Sequence, residues 1–148
     1  MKTASLIAAL MITASPLMAQ DLTPAQVPAP VMASFNKEFP KAMDVDWDLK
    51  GTQYKVEFET GLLGTDHEAW YDANGKQLKH EEEISASDLP AAVSAAIAKD
   101  FAGYRTDDVE RVAQDGAMTF IMEVKKTTGE EWKVAYDASG KQLEKRQE

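Results

Sequence analysis

Tyr71-Asp72-Ala73-Asn74-Gly75-Lys76-Gln77-Leu78 returns 65 residues later as Tyr136-Asp137-Ala138-Ser139-Gly140-Lys141-Gln142-Leu143, identical at seven of eight positions. Each copy reads as a hairpin turn. The glycine supplies the positive φ such turns need, and the aspartate can bond the turn backbone. Upstream, Val27-Pro28 with Val31, Phe35 and Phe39 matches Leu89-Pro90 with Val93, Ile97 and Phe101 at an offset of 62. Two matches in the same order point to a tandem duplication, the drift between the offsets being small loop insertions.

The upstream segments read as helices. Apolar residues spaced by four make one stripe. Pro28, Pro30 and Pro90 fall in first turns, which lack backbone partners anyway. Ser87 or Asp88 can cap the second helix, and Pro40 ends the first near Phe39.

Strands follow. Asp44-Val45-Asp46-Trp47-Asp48-Leu49 alternates strictly, and Tyr54, Val56 and Phe58 interleave with Lys55, Glu57 and Glu59. His67, Ala69 and Tyr71 should face inward, as should Trp132, Val134 and Tyr136 after Met118, Phe120, Met122 and Val124. The expected fold is α+β: two tandem units, each one helix plus four antiparallel strands, with both helices on one face of a shared eight-stranded sheet. A unit of about 60 residues alone has a marginal core, so the two should pool their burial.

Met1 to Ala19 reads as a secretory signal peptide, giving the division 1–19, 20–84 for the first repeat and 85–148 for the second. Lys2 is the n-region charge, Leu6 to Thr13 the apolar core, and Pro16 with Leu17-Met18-Ala19 the cleavage region. The apolar run is too short for a transmembrane anchor. A periplasmic or secreted protein cut near Ala19 is expected. Without Lys2, the 16 basic residues become 15 against 25 acidic, a net charge of −10. Such a surface repels nucleic acid and anionic lipid and suits a basic protein partner or cations. There is no cysteine, which excludes disulfides, thiolate metal sites and a thiol nucleophile.

These motifs resemble the PepSY-like family, whose fold is akin to the repeat of beta-lactamase inhibitor protein. The carrying residues are Val27-Pro28, Phe35, Phe39-Pro40, Val45-Asp46-Trp47, Tyr54-Lys55-Val56-Glu57-Phe58 and the Tyr-Asp-x-x-Gly-Lys-x-Leu turn, repeated from Leu89-Pro90 onward. The resemblance implies an exported protein of two αβ repeats, with no catalytic residues to transfer, in a family linked to inhibition of secreted peptidases. The named relative inhibits an enzyme through its concave sheet face. One departure is Arg111, which stands where the first unit has Trp47.

Catalytic motifs are missing from the sequence, and no cofactor is expected. His67 and His80 are the only histidines; His67 reads as a satisfied buried imidazole and His80 as lying near solvent. The outward sheet face is the expected contact surface for an envelope or secreted protein. It carries Lys55, Glu57, Glu59, Glu68, Trp70 and Asp72 in unit one, and Val112, Thr119, Ile121, Glu123 and Lys133 in unit two. Of these Trp70, Glu57, Glu68, Lys55, Ile121 and Lys133 are the partner-binding set. Trp70 is the odd aromatic among charges, the usual anchor of a binding surface, unless it merely packs on Ile121 or a lysine stem. Leu62 and Leu63, between Gly61 and Gly64, form a second candidate contact, although folding back on the sheet is the favoured outcome. Asp44, Asp46 and Asp48 are a weaker alternative as a calcium or lanthanide site. The EF-hand pattern fails at Leu49 and Lys55, and alternate aspartates on a strand lie about 7 Å apart. A monomer or weak dimer is expected.

Overall fold

A computed structural model describes residues 20–148. The signal peptide read over residues 1–19 lies outside the described residues. The elements run β1 (Gln20–Leu22), α1 (Ala29–Glu38), β2 (Met43–Lys50), β3 (Gln53–Thr60), β4 (Thr65–Tyr71), β5 (Gln77–Glu83), α2 (Ala91–Asp100), β6 (Arg105–Gln114), β7 (Ala117–Lys125), β8 (Glu131–Asp137) and β9 (Gln142–Gln147). All nine strands form one antiparallel sheet in sequence order.

This corrects the expected fold class. The molecule is sheet-dominated, with two ten-residue helices, not two helix-plus-four-stranded units. The three residues of β1 are too short to show periodicity, yet they pair with Leu49, Asp48 and Trp47 and add a ninth strand. The ladder also continues without a break across the junction, where Lys79 to Glu83 pair with Gln114 to Glu110. The second helix is capped differently from the sequence reading. Ser85 accepts from Ser87 N at the start of a 3₁₀ turn over Ala86–Asp88, and α2 begins directly after Pro90.

One face of the sheet carries the core. Val31 and Phe35 of α1 pack with Trp47, Val56, Phe58, Ala69 and Tyr71; Val93 and Ile97 of α2 pack with Val109, Phe120, Met122, Val134 and Tyr136. Burying each large apolar side chain contributes roughly 1.5–3 kcal/mol.

The repeated turn explains its own identity. Asp72 Oδ1 accepts from Asn74 N and Lys76 N, at 2.9 and 3.0 Å, and Asp137 does the same for Ser139 N and Lys141 N. Gly75 and Gly140 have φ of +84° and +83°. A Cβ on Gly75 would stand 2.4 Å from the Pro30 carbonyl oxygen, and one on Gly140 the same distance from that of Ala92. Each turn therefore docks against the first turn of its helix, where a side chain has no room. At the other end of α1, Tyr71 Oη and Gln77 Nε2 both donate to Glu38 Oε2 at 2.8 Å. In the second repeat Asp100 stands where Glu38 does, one methylene shorter. There the buried Tyr136 hydroxyl has no partner within hydrogen-bonding distance.

Candidate functional site: an acidic hollow on the open sheet face

Strand alternation sends a second set of side chains to the face opposite the helices. Register fixes who meets whom. Asp46, Glu57, Glu68 and Glu81 lie directly side by side across β2, β3, β4 and β5. One step along, Glu59 faces Asp66 and Glu83 faces Glu110. Bulges at the starts of β2 and β6, with Asp44 at φ +48° and Asp108 at φ +46°, turn two further aspartates toward the same region. Together these residues line a hollow of ≈ 590 Å³. Phe58, His67 and Glu82 contribute to its floor, while their side chains belong by alternation to the other face. No lysine or arginine lines it.

Cations stand at the rim. Lys55 Nζ lies 2.6 Å from Glu57 and 3.0 Å from Glu68. Burial works against its charge, but the two carboxylates outweigh burial and hold the pKa above the ordinary lysine value. Lys79 pairs with Glu81. Two carboxyls of the hollow are shifted the other way. Glu110 is pushed up by burial and by Glu81 and Glu68, against the pull of Lys133. Glu83 is pushed up by burial and by Asp66 and Asp108. Like charges crowded on one face disfavour ionisation.

Trp70 sits at the edge of this field, half-buried, in register between Lys55 and Lys79. Their ammonium groups lie 5.4 and 4.4 Å from its ring centroid, within cation–π range. The ring therefore packs on lysines and not on Ile121, which belongs to β7. Of the partner-binding set, Lys55, Glu57, Glu68 and Trp70 are adjacent on β3 and β4. Ile121 pairs with Glu110 and so borders the hollow, and Lys133 is across from Glu123 on β8. Leu62 and Leu63 do not fold back. They are fully exposed at the tip of the β3–β4 hairpin, at 104% and 98%. The tip is held out by a four-residue loop whose glycines both have positive φ.

Asp44, Asp46 and Asp48 separate. Asp44 and Asp46 line the hollow, whereas Asp48 pairs with Lys50 at 3.2 Å and faces Lys55. Among the described residues, the carboxylates that converge tightly enough for one ion are Glu123, Glu131 and Glu148. Lys125 Nζ already pairs with two of them, 2.7 Å from Glu123 and 3.0 Å from Glu131, and Arg146 pairs with Glu148.

On the helix face the two histidines meet. His67 Nδ1 and His80 Nε2 are 3.1 Å apart, and the Thr60 hydroxyl is 2.8 Å from His67 Nε2. His80 is therefore half-buried and bonded, not near solvent as the sequence suggested. A bulge in β5, where Trp70 pairs with Lys79 but Tyr71 with Gln77, shifts the alternation past Leu78 and turns His80 inward.

Such a doubled sheet, with short helices on one side, is the architecture of the two-repeat beta-lactamase-inhibitor-like proteins. The chain belongs to the PepSY-like family, whose model, described as "Putative beta-lactamase-inhibitor-like, PepSY-like", matches residues 17–64 and 52–144. Solved structures share the fold. A BLIP-like protein from Bacteroides fragilis is 23% identical at a TM-score of 0.67, over 81% of this chain and 86% of that one. One of the "putative periplasmic proteins" of Bacteroides eggerthii is 19% identical at a TM-score of 0.71, over 82% and 88%. A DUF2874 family protein from Bacteroides ovatus is 22% identical at 0.69, over 81% and 86%. No curated protein matches the chain. Among the described residues no helix is long and apolar enough to cross a membrane.

Proposed function

We propose that this protein is a non-catalytic binding module of the cell envelope that docks a protein with a cationic surface on its open sheet face. The carrying observation is the hollow itself, built by carboxylates from both repeats without a lysine or arginine in its lining. Burial, and after it the neighbouring carboxylates, push Glu83 and Glu110 up, so a cation arriving there relieves repulsion as well as adding attraction. Trp70 offers a flat apolar contact at the edge, and Leu62 with Leu63 offers a protruding one. Aromatic anchors beside complementary charge are what make a surface bind selectively. The signal-like segment at residues 1–19 and the periplasmic description of one structural neighbour support the envelope setting.

The test is capture from a periplasmic extract with the wild-type chain, Trp70→Ala, and the charge reversal Glu57→Lys/Glu68→Lys as bait. A specific basic protein retained by wild type should be lost from both variants, and its retention should weaken with salt. Leu62→Ser/Leu63→Ser should weaken capture without altering the melting curve. Recovery of the same protein by all baits alike overturns the reading. Calorimetric titration with calcium and a lanthanide runs beside it. Tight binding of either ion, abolished by Asp46→Asn/Glu57→Gln, would replace the protein partner with a cation.

A further inference from the structure

The helix face holds a polar pair that the docking surface does not use. The His67 and His80 ring planes differ by 8° with centroids 5.3 Å apart, while Nδ1 and Nε2 approach to 3.1 Å. With near-parallel planes, that spacing sets the rings edge to edge, nitrogen aimed at nitrogen. One proton between them makes a hydrogen bond. A proton on each facing nitrogen sets N–H against N–H and breaks it.

The surroundings are mixed. Phe58 of β3 stacks on His67, and Phe39 at the end of α1 lies 5.1 Å from His80, centroid to centroid. From β4 the Asp66 charge and from β5 the Glu81 and Glu82 charges favour imidazolium; Arg111 of β6, paired with Glu82, opposes it. The Thr60 hydroxyl can donate to or accept from the outer nitrogen of His67, so either tautomer of the neutral pair is served.

The second repeat supplies an internal comparison. At the offset of 65, His67 corresponds to Trp132 and His80 to Lys145. Lys145 Nζ lies 4.1 Å from the Trp132 centroid and 5.0 Å from that of Phe101, the counterpart of Phe39. The second repeat thus sets a lysine side chain, on its exposed last strand, at the position of His80.

We propose that His67 and His80 form a proton-sharing latch beside the junction of the repeats, which accepts one added proton intact and opens on the second. The neutral pair and its monocation both keep one N–H between the facing nitrogens. The dication cannot. Strands β4 and β5 carry these rings on one side and Glu68, Trp70, Lys79 and Glu81 on the other. If the docking face acts as proposed above, opening the latch retunes it with pH; the latch itself does not depend on that reading.

Burial, followed for His80 by the charge of its neighbour, lowers both histidines below 6.5. The unfolded chain thus binds protons more readily than the folded one. The stabilisation from the neutral pair is complete above about pH 6.5 and is lost as pH falls through the lowered values.

Nitrogen-15 NMR of the imidazoles from about pH 7.5 to about 4.5, the span of histidine titration, tests the latch. The expected result is two linked steps for the pair, the first below the ordinary histidine value. Melting temperature should fall across the same span in wild type. It should fall less in His67→Trp/His80→Lys, which transplants the second repeat's pair. If that variant does not fold at neutral pH, His80→Gln serves the same comparison. Independent titration of the two rings, or an equal fall in melting temperature for wild type and the folded variant, overturns the proposal. Neither measurement involves a partner, so failure of the docking face leaves them unaffected.

Discussion

Removing one oxygen from each of two equivalent tyrosines should have unequal consequences. Tyr71→Phe deletes a hydroxyl that donates to Glu38 at 2.8 Å. Tyr136→Phe deletes a buried hydroxyl with no partner, whose pKa burial, with the Asp100 charge nearby, pushes up to about 12. A hydrogen bond to a charged group can be worth about 1.5–3 kcal/mol. Glu38 is exposed, however, so solvent screens the premium and about 1 kcal/mol is the better figure. Tyr71→Phe should therefore cost about 1 kcal/mol, or about 4 °C in melting temperature for a domain of this size. Tyr136→Phe should be neutral, or stabilise by up to about 1 kcal/mol as the desolvation of an unsatisfied group disappears. Asp100→Glu should then give the second repeat the missing acceptor and make Tyr136→Phe costly in turn. Urea melts of the four variants, analysed as a double-mutant cycle between positions 100 and 136, measure this. Equal costs for the two Tyr→Phe changes in the wild-type background would refute the reasoning, because an acceptor meets the hydroxyl in the first repeat and none does in the second.

Two further outcomes follow from the geometry. Gly75→Ala and Gly140→Ala should each cost about 3 kcal/mol, since a Cβ meets a helix carbonyl at 2.4 Å on top of the left-handed strain; Gly61→Ala, with open space and φ +76°, should cost only about 1 kcal/mol, and denaturant midpoints separate the two classes. Glu110 carries a raised pKa, so the folded chain holds its proton more firmly than the unfolded one and its ionisation destabilises the fold as pH rises above about 4.5; Glu110→Gln should raise the urea midpoint at neutral pH and have little effect once the wild-type carboxyl is protonated.

The repeat and the identity of each core face were legible because their signals are local. Tyr71 to Leu78 names its turn by residue type, and Val31, Phe35 and Phe39 name a helix stripe by spacing. Strand β1 was not legible, since Gln20, Asp21 and Leu22 join the sheet through backbone pairing that no side-chain pattern announces. The exposed hairpin tip was misjudged for a related reason. Apolar Leu62 and Leu63 argue for burial, but their loop is too short to reach the sheet surface. The histidine pair depends on one bulged residue, Leu78: strict alternation counted forward from Gln77 places His80 outward, whereas the register places it inward. The hollow was half legible. Outward carboxylates could be named, but their gathering from both repeats needs the pairing of Glu83 with Glu110 across the junction.

That junction decides how the halves live together. Five successive residue pairs join β5 to β6, so severing the chain in the segment between Glu83 and Leu89 would leave each piece with a bare strand edge and no cover for it. Edges of that kind seek another strand. Each fragment on its own is therefore primed to self-associate, whereas the two mixed have each other's complementary rim to close against. The fusion of two copies into one polypeptide keeps the right neighbour permanently at hand.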